Sequence, residues 1–337
     1  MRDVLVPLEI DPAQAPPGSR LLALAGSAMG TDWSARLMLP AGLSADLHAA
    51  LQRELDAIVA QMSHWEPDSL LSRYNRAAAG SWHALPPQFF DVIAYALSVH
   101  DASGGAYDPA AGALVNLWGF GPSGRYDHAG FYAPAPEAVA AVLAAQRAAL
   151  PVLDRSERRL LQPGGAVLDL SAVAKGYAVD RMAACLALHG VHHYLVEAGG
   201  ELRGAGVKAD GQPWWVEIEG VPGTAAGAQP LLALHGLAVA TSGDYRRHFQ
   251  HGGRRISHTL DPRSGQPIAN GVASATVIAP TCMAADALST ALTVLGAQAG
   301  LDFAERQGVA ARFLLRPADP AAALAELTTS AWRALLQ

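Results

Sequence analysis

The sequence predicts one composite domain of mixed strands and helices, and three stretches carry that expectation. In residues 273–296, ASATVIAPTCMAADALSTALTVLG, a strand passes directly into a helix. Ala273, Ala275, Val277 and Ala279 alternate with Ser274, Thr276 and Ile278, then Pro280 halts the strand and Thr281 can cap a helix. Residues 21–27 and 33–39 form two strands around Ala28-Met29-Gly30-Thr31, a hairpin with a glycine turn. Leu47, Leu51, Leu55, Ile58, Val59 and Met62 keep helical spacing. A chain of 337 residues can bury a sizeable core, and no repeat, low-complexity tract or clear linker divides it. The expected organisation is a Pro-rich flexible lead-in over 1–19 and a single domain over 20–337.

The remaining elements follow in order. Ser44 is placed to cap the helix over 45–62, which ends in SHWEPDSLLSRYN. Phe89, Ile93, Ala94 and Leu97 mark a helix stopped at Gly104-Gly105. The stretch 104–121, GGAYDPAAGALVNLWGFG, is too rich in glycine for long regular structure; it suits either a flat ligand or a well-packed loop. An Ala-rich helix is expected over 137–150, strands over 152–161 and 166–170, and a helix capped by Ser171 running to His189. Further strands are expected at 194–197, 214–219 (edge-like), 231–241, 255–260 and 311–315, with a final helix. His192, His193, His248 and His251 are expected at the surface.

Composition excludes several classes. The net charge is −6 with acidic residues spread along the chain, which argues against nucleic-acid binding and gives no polybasic membrane patch. No apolar run is long enough to span a membrane, and the N-terminus lacks a basic region, an apolar core and a cleavage site, so a cytoplasmic protein is expected. Cys185 and Cys282 have no zinc-ligand spacing and are expected as buried free thiols.

Helical spacing brings Asp286, Ser289, Thr290 and Thr293 onto one face of an otherwise apolar helix. One carboxylate and three hydroxyls suit a hard cation such as Mg²⁺; the alternative is a solvated polar stripe. The helix start at 171–175 offers amides and Lys175 to an anion. Met29 at a turn can pack flat against a ligand or serve the core.

The blocks AMGTDW, SHWEPDSLLSRYN, GGAYDP with LWGFG, LDLSAVAKGYAVD, LVEAGGELRGAG, ATSGDYRR, SHTLDPRSGQPI and ASATVIAPTCMAADALSTAL resemble, in order and spacing, those of the ApbE-type flavin transferases. The resemblance covers about residues 21–315. It implies an α+β fold of mixed sheets and packed helices related to the T-fold. It also implies a Mg²⁺-dependent FAD:protein FMN transferase, which cleaves FAD, joins FMN through a phosphoester to a threonine or serine of a target flavoprotein, and releases AMP. By motif, Met29, Tyr74, Ala106, Tyr107, Asp108, Asp169, Lys175 and Thr259 match FAD-contacting positions. Asp286, Ser289 and Thr290 match metal positions, and Ala172 matches a position that gives its backbone oxygen to the metal. Some members carry a second aspartate where this chain has Ser289, a departure expected to weaken metal binding or limit it to one ion.

The acceptor hydroxyl must lose a proton, and His258 is the candidate base beside Asp286 in catalysis. His258 could instead orient Asp261 or hold the flavin phosphate. Alternative functions are an FAD pyrophosphatase with water as acceptor, a flavin-binding protein without turnover, or a general Mg²⁺ phosphohydrolase. The expected partners are FAD and the target flavoprotein, with the chain a monomer or homodimer.

Overall fold

The computed structural model describes residues 2–10, 13–222, 229–317 and 322–337. The chain forms two compact units: residues 1–57, 175–243 and 271–337 make the first, and residues 58–174 and 244–270 the second. In chain order come β1 (Val4–Leu5), β2 (Arg20–Ala28), β3 (Thr31–Leu39) and α1 (Leu47–Met62). The second unit then takes α2 (Leu70–Asn75), β4 (Ser81–Ala84), α3 (Pro87–Ala102), α4 (Gly112–Leu117), α5 (Pro136–Ala148), β5 (Val152–Asp154) and β6 (Arg159–Gln162). After α6 (Ala174–Leu188), the first unit contributes β7 (Tyr194–Ala198), β8 (Glu201–Ala205), β9 (Trp214–Glu217), β10 (Leu231–Leu234) and β11 (Leu237–Gly243). The second adds β12 (His248–His251), β13 (Arg254–Ser257), β14 (Leu260–Asp261) and β15 (Gln266–Pro267). The first closes with β16 (Val272–Ala279), α7 (Cys282–Leu295), α8 (Ala297–Arg306), β17 (Ala310–Leu315), β18 (Ala325–Thr328) and α9 (Ser330–Arg333).

The first unit is built on an eight-stranded antiparallel sheet in the order β18-β17-β16-β11-β8-β7-β3-β2. With its packed helices it gives the expected α+β class. All eight residues of β16 are buried, so the apparent alternation of polar and apolar residues has no solvent face behind it. Ile278 packs with Leu232, Val239 and Trp332, whereas Ala275 and Val277 pack with Ala285, Leu292 and Phe313 beneath α7. The hydroxyl of Thr276 is kept in this interior by a 2.8 Å hydrogen bond with Thr241, its cross-strand neighbour. In the second unit, Leu114, Trp118, Phe120, Val139 and Leu260 form a core, and Trp118 Nε1 donates to the Gly265 carbonyl at 2.9 Å.

Helices α6 and α7 cap each other. The first amides of a helix have no intrahelical acceptor. Asp180 on α6 accepts from the Cys282 and Met283 amides, each at 2.9 Å, and Thr281 Oγ1 accepts from the Ala284 amide at 3.3 Å. In return, Asp286 on α7 accepts from the Gly176 amide at 2.9 Å. Such closeness requires glycine: a Cβ at Gly176 would sit 2.3 Å from the Cys282 carbonyl oxygen and 2.7 Å from Asp286 Cβ.

Several local expectations change. The lead-in is tied down near its start: β1 pairs with β10, Leu5 is fully buried, and the Val6 amide donates to the Leu335 carbonyl. Asp46, not Ser44, caps α1, accepting from the Ala49 amide at 3.1 Å. The expected strand over 231–241 is two strands in different sheets, because His235-Gly236 turns the chain. The strand over 152–161 is likewise a hairpin of β5 and β6, and residues 166–170 make only a bridge from Val167 to Ala111. His193 is buried and accepts from the Val207 amide. Cys185 and Cys282 are buried free thiols, as expected. No helix among the described residues is long and apolar enough to cross a membrane.

Gly176→Ala tests the close crossing. Alanine favours a helix over glycine by about 1 kcal/mol, but here overpacking and a lost cap together cost more. The expected net loss is about 2 kcal/mol, read as a lower Tm. An unchanged or raised Tm would show that α7 can shift without loss.

Candidate functional site

In the first unit, Lys175 and Glu201 cluster with Asp286. This carboxylate is 3 % exposed. Its Oδ2 takes the Gly176 amide, and its Oδ1 lies 3.9 Å from Lys175 Nζ. Lys175 also makes an ion pair with Glu201, which is itself buried. Burial opposes the charge on Lys175, but Asp286 and Glu201 outweigh it and push the ammonium up to about 12. For Asp286 burial is the largest influence, and it holds the carboxyl above the usual carboxylate range despite Lys175 and the Gly176 amide. Burial and the carboxylates of Asp180, Glu201 and Asp286 keep the Cys282 thiol well above its ordinary value, so it is an inert neighbour.

Four oxygens on α7 and β11 form a directed chain. Ser289 Oγ donates to the Asp286 carbonyl at 2.9 Å. Its contact with Ser242 Oγ at 3.0 Å must therefore be an acceptance, which uses the single Ser242 proton. The 2.9 Å contact between Thr290 and Ser242 is then a donation from Thr290. The Thr290 oxygen keeps its lone pairs, while Ser289 and Ser242 brace it from behind. Thr293 donates to the Ser289 carbonyl and is fully buried, so this stripe faces the interior and not solvent.

These donors fit a hard divalent cation. All are oxygens, and the Lys175, Asp286 and Glu201 cluster sets two buried carboxylates against one ammonium, so a further positive charge would relieve it. Among the described residues no group of three His, Cys, Asp or Glu side chains is poised to hold a metal, so a cation here would rest on one carboxylate and hydroxyls.

The anion site expected at the start of α6 is differently arranged. Ser171 does not cap this helix: its hydroxyl and amide both donate to Asp169 Oδ1, at 2.6 and 2.8 Å. Asp286 takes the Gly176 amide, and Lys175 is already ion-paired. In the second unit, Asp169 also lies 3.2 Å from His64 Nδ1. Burial pushes Asp169 up, but the charge and hydrogen bond of His64 and the Ser171 donors outweigh it, holding the carboxyl well below its usual range. Burial likewise works against His64 protonation, yet Asp169 wins over burial and Arg247 and raises the imidazole. Ala172 is half-buried in the turn ahead of α6.

Other residues of the second unit are mainly structural in their contacts. Tyr74 is 1 % exposed, donates its hydroxyl to the Leu161 carbonyl at 2.8 Å, and is pushed up by burial. The neighbours that line a cavity are instead Ser72, Asn75 and Arg76. Ala106 and Tyr107 are buried, and Asp108 accepts from the Ala110 amide and from Gln146 Nε2 at 2.6 Å, which fixes the loop. Thr259 is buried, and its carbonyl accepts from the Ile268 amide. His258 Nδ1 donates to the Arg247 carbonyl at 3.0 Å, which makes Nε2 the basic nitrogen. Asp261 gives both oxygens to Arg263 at 2.9 Å.

Met29 sits in the first unit at the β2–β3 turn with φ 54°, followed by Gly30 at φ 72°. Two positive φ values are what a type I′ hairpin needs, but a methionine there carries about 1–2 kcal/mol of strain. That strain in a half-buried side chain is consistent with a position held for contact. Glu201, Ser242 and His64 lie outside the motif positions. All three belong to quoted blocks, but nothing local pairs Glu201 with Lys175 or Ser242 with Thr290; only the packing of the helices on the strands does.

The chain matches the model of the ApbE family over residues 29–313. It is 36 % identical over 306 residues to the FAD:protein FMN transferase of Klebsiella pneumoniae (strain 342), covering 90 % of this chain and 86 % of the relative. To the enzyme of that name from Salmonella typhimurium it is 35 % identical over 297 residues, covering 87 % and 84 %. Among solved structures, the apo form of the Pseudomonas stutzeri flavinyl transferase ApbE is similar with a TM-score of 0.84 and 37 % identity, covering 94 % of this chain and 97 % of that one. The flavin transferase ApbE from Vibrio cholerae gives 0.84 and 33 %, covering 94 % and 100 %.

The His64–Asp169 pair makes a pH expectation with a definite sign. Asp169, depressed, stabilises the fold above the ordinary aspartate value of about 3.9; that contribution is lost as pH falls through its lowered pKa. His64, raised, stabilises it below the ordinary histidine value of about 6.5; that contribution is lost as pH rises through its raised pKa. The pair therefore contributes most between about pH 4 and 6.5. Asp169→Asn is expected to lower the His64 pKa, seen by NMR titration of the ring, and to cost about 1–3 kcal/mol. An unmoved His64 titration would contradict the pairing.

Proposed function

The chain belongs to the ApbE family, and from this premise we propose that it is an FAD:protein FMN transferase that uses Mg²⁺ and a threonine or serine acceptor on a flavoprotein. The observation that carries the activity is the match, along nearly the whole chain, to relatives bearing that name. The metal requirement is supported by the buried Asp286 and its line of hydroxyls.

In this reading the acceptor hydroxyl oxygen forms a bond to the FMN-side phosphorus of FAD. The bond from that phosphorus to the AMP oxygen breaks, and AMP leaves with the negative charge. The pyrophosphate repels an incoming oxygen, and Mg²⁺ bound there would neutralise that charge and the charge on the leaving group. Asp286 and Thr290 would hold it, with Ser289 and Ser242 fixing the Thr290 hydroxyl. Lys175 remains an ammonium at neutral pH and offsets the two buried carboxylates beside it. His258 Nε2 accepts the proton of the acceptor hydroxyl, because Nδ1 already donates to Arg247. In the second unit, Asp169, Thr259 and the Ala106–Asp108 loop are FAD contacts in this reading, and Tyr74 supports its segment from within the core; Met29 is the contact assigned to the first unit.

The test is AMP release, followed by chromatography, with FAD, Mg²⁺ and an acceptor domain. Asp286→Asn keeps an oxygen for the Gly176 amide, so its Tm should stay near wild type while turnover is lost. Asp286→Ala should abolish turnover more completely than His258→Ala, whose loss is about 10²–10⁴-fold. Near-normal turnover by a folded Asp286→Asn at modest Mg²⁺ would remove Asp286 from the metal role.

A further inference from the structure

Glu201 is buried on β8 and meets the proposed cation site through Lys175. It opens the strand directly after the Gly199-Gly200 turn, and its backbone is paired with Ala198 on β7. A Cβ at Gly199, which has φ 66°, would lie 3.3 Å from Glu201 Oε2, so the turn leaves the carboxylate its room. Glu201 and Arg203 stand two residues apart on one face of β8. Each makes an ion pair with α6: Glu201 with Lys175, and Arg203 with Asp180. Strand and helix are tied at two points, which fixes where Glu201 meets Lys175.

Lys175 has two carboxylates beside it and is engaged by one of them. Its Nζ donates to Glu201 Oε1, whereas Asp286 Oδ1 is 3.9 Å away, beyond hydrogen-bond reach. Asp286 Oδ2 takes the Gly176 amide, and Oδ1 accepts no hydrogen bond among the described residues. The Asp286 side chain is 5 % exposed, so water has little access to it. A buried carboxylate oxygen ordinarily finds a donor, and the flexible stem of Lys175 could supply one. An ammonium–carboxylate hydrogen bond is about 2.8 Å long, so a shift of roughly 1 Å would close the gap. The contact with Glu201 is what holds the ammonium back. A glutamine at 201 would leave one ammonium against one carboxylate, a closed pair with a positive charge set against any incoming cation.

We propose that Glu201 is a positioning residue for the cation site: by engaging the Lys175 ammonium it keeps Asp286 Oδ1 available to a divalent cation. The inference rests on the cation reading above. In this role Glu201 is no ligand of the metal; it acts through Lys175.

Mn²⁺ is the probe, in place of Mg²⁺. Its binding to the full chain at saturating FAD is read from the EPR signal of the free ion, against FAD alone. Glu201→Gln, folded with a Tm near wild type, is expected to weaken Mn²⁺ about 10–100-fold. Glu201→Asp, which keeps the charge, should recover most of that loss. Adding Lys175→Met to Glu201→Gln removes the competing ammonium, and this double variant should hold Mn²⁺ within about threefold of wild type. A folded Glu201→Gln with wild-type affinity would overturn the inference and leave the cation reading intact. A double variant weakened about tenfold or more would overturn it as well, because Glu201 would then act on the cation by itself. That comparison needs only the double variant and wild type, so it stands where Glu201→Gln alone does not fold. A wild-type chain that holds no Mn²⁺ beyond the FAD control would overturn the cation reading itself.

Discussion

The exchange of caps between helices α6 and α7 is the constraint on which the chemistry depends. Asp180 closes the start of α7, and Asp286 closes the start of α6. Each carboxylate meets amides that a helix cannot satisfy itself, where the helix dipole also favours negative charge. The exchange fixes the crossing of the two helices, and Gly176 allows it by leaving no Cβ between them. One carboxylate oxygen of Asp286 is thus committed to structure, and the other lies toward Lys175. The proposed metal ligand is therefore placed by a backbone contact, which limits its freedom before any ligand arrives.

Around that fixed point lie the charges that the proposed cation would meet. A buried carboxylate is costly unless paired, and Lys175 lies within ion-pair distance of both Asp286 and Glu201. The line of hydroxyls from Thr290 through Ser242 and Ser289 uses its protons in one direction and leaves the Thr290 oxygen open. In the second unit Asp169 plays a comparable part. It holds Ser171 and His64 at once, and both Asp169 and His64 border a small cavity. In both places a carboxylate fixes the groups beside it.

Local patterns made much of this legible. Helical spacing placed Asp286, Ser289, Thr290 and Thr293 on one face, and Thr281 is the cap that its position suggested. The hairpin around Met29-Gly30 followed from alternation and glycine. What the sequence left hidden depends on partners distant in the chain. Asp286 lies 110 positions from the amide it caps, so Ser171 looked like the cap of α6. Ser242 on β11 meets Thr290 only through the packing of α7 on the sheet, and Glu201 on β8 meets Lys175 on α6 in the same way. Buried polar residues on β16 mimicked a half-exposed strand because a cross-strand hydroxyl pair satisfies Thr276. The Tyr74 motif position gave no sign that its hydroxyl is spent inside the core.

The central claim, transfer of FMN to protein through a cation site at Asp286, is met most directly by intact-protein mass spectrometry of an acceptor domain after incubation with this chain, FAD and Mg²⁺. The account predicts the added mass of one FMN on a threonine or serine, absent with EDTA. An adduct that forms equally well without divalent metal would contradict the cation site. FMN and AMP released with no adduct on any acceptor tested would contradict transfer and favour hydrolysis.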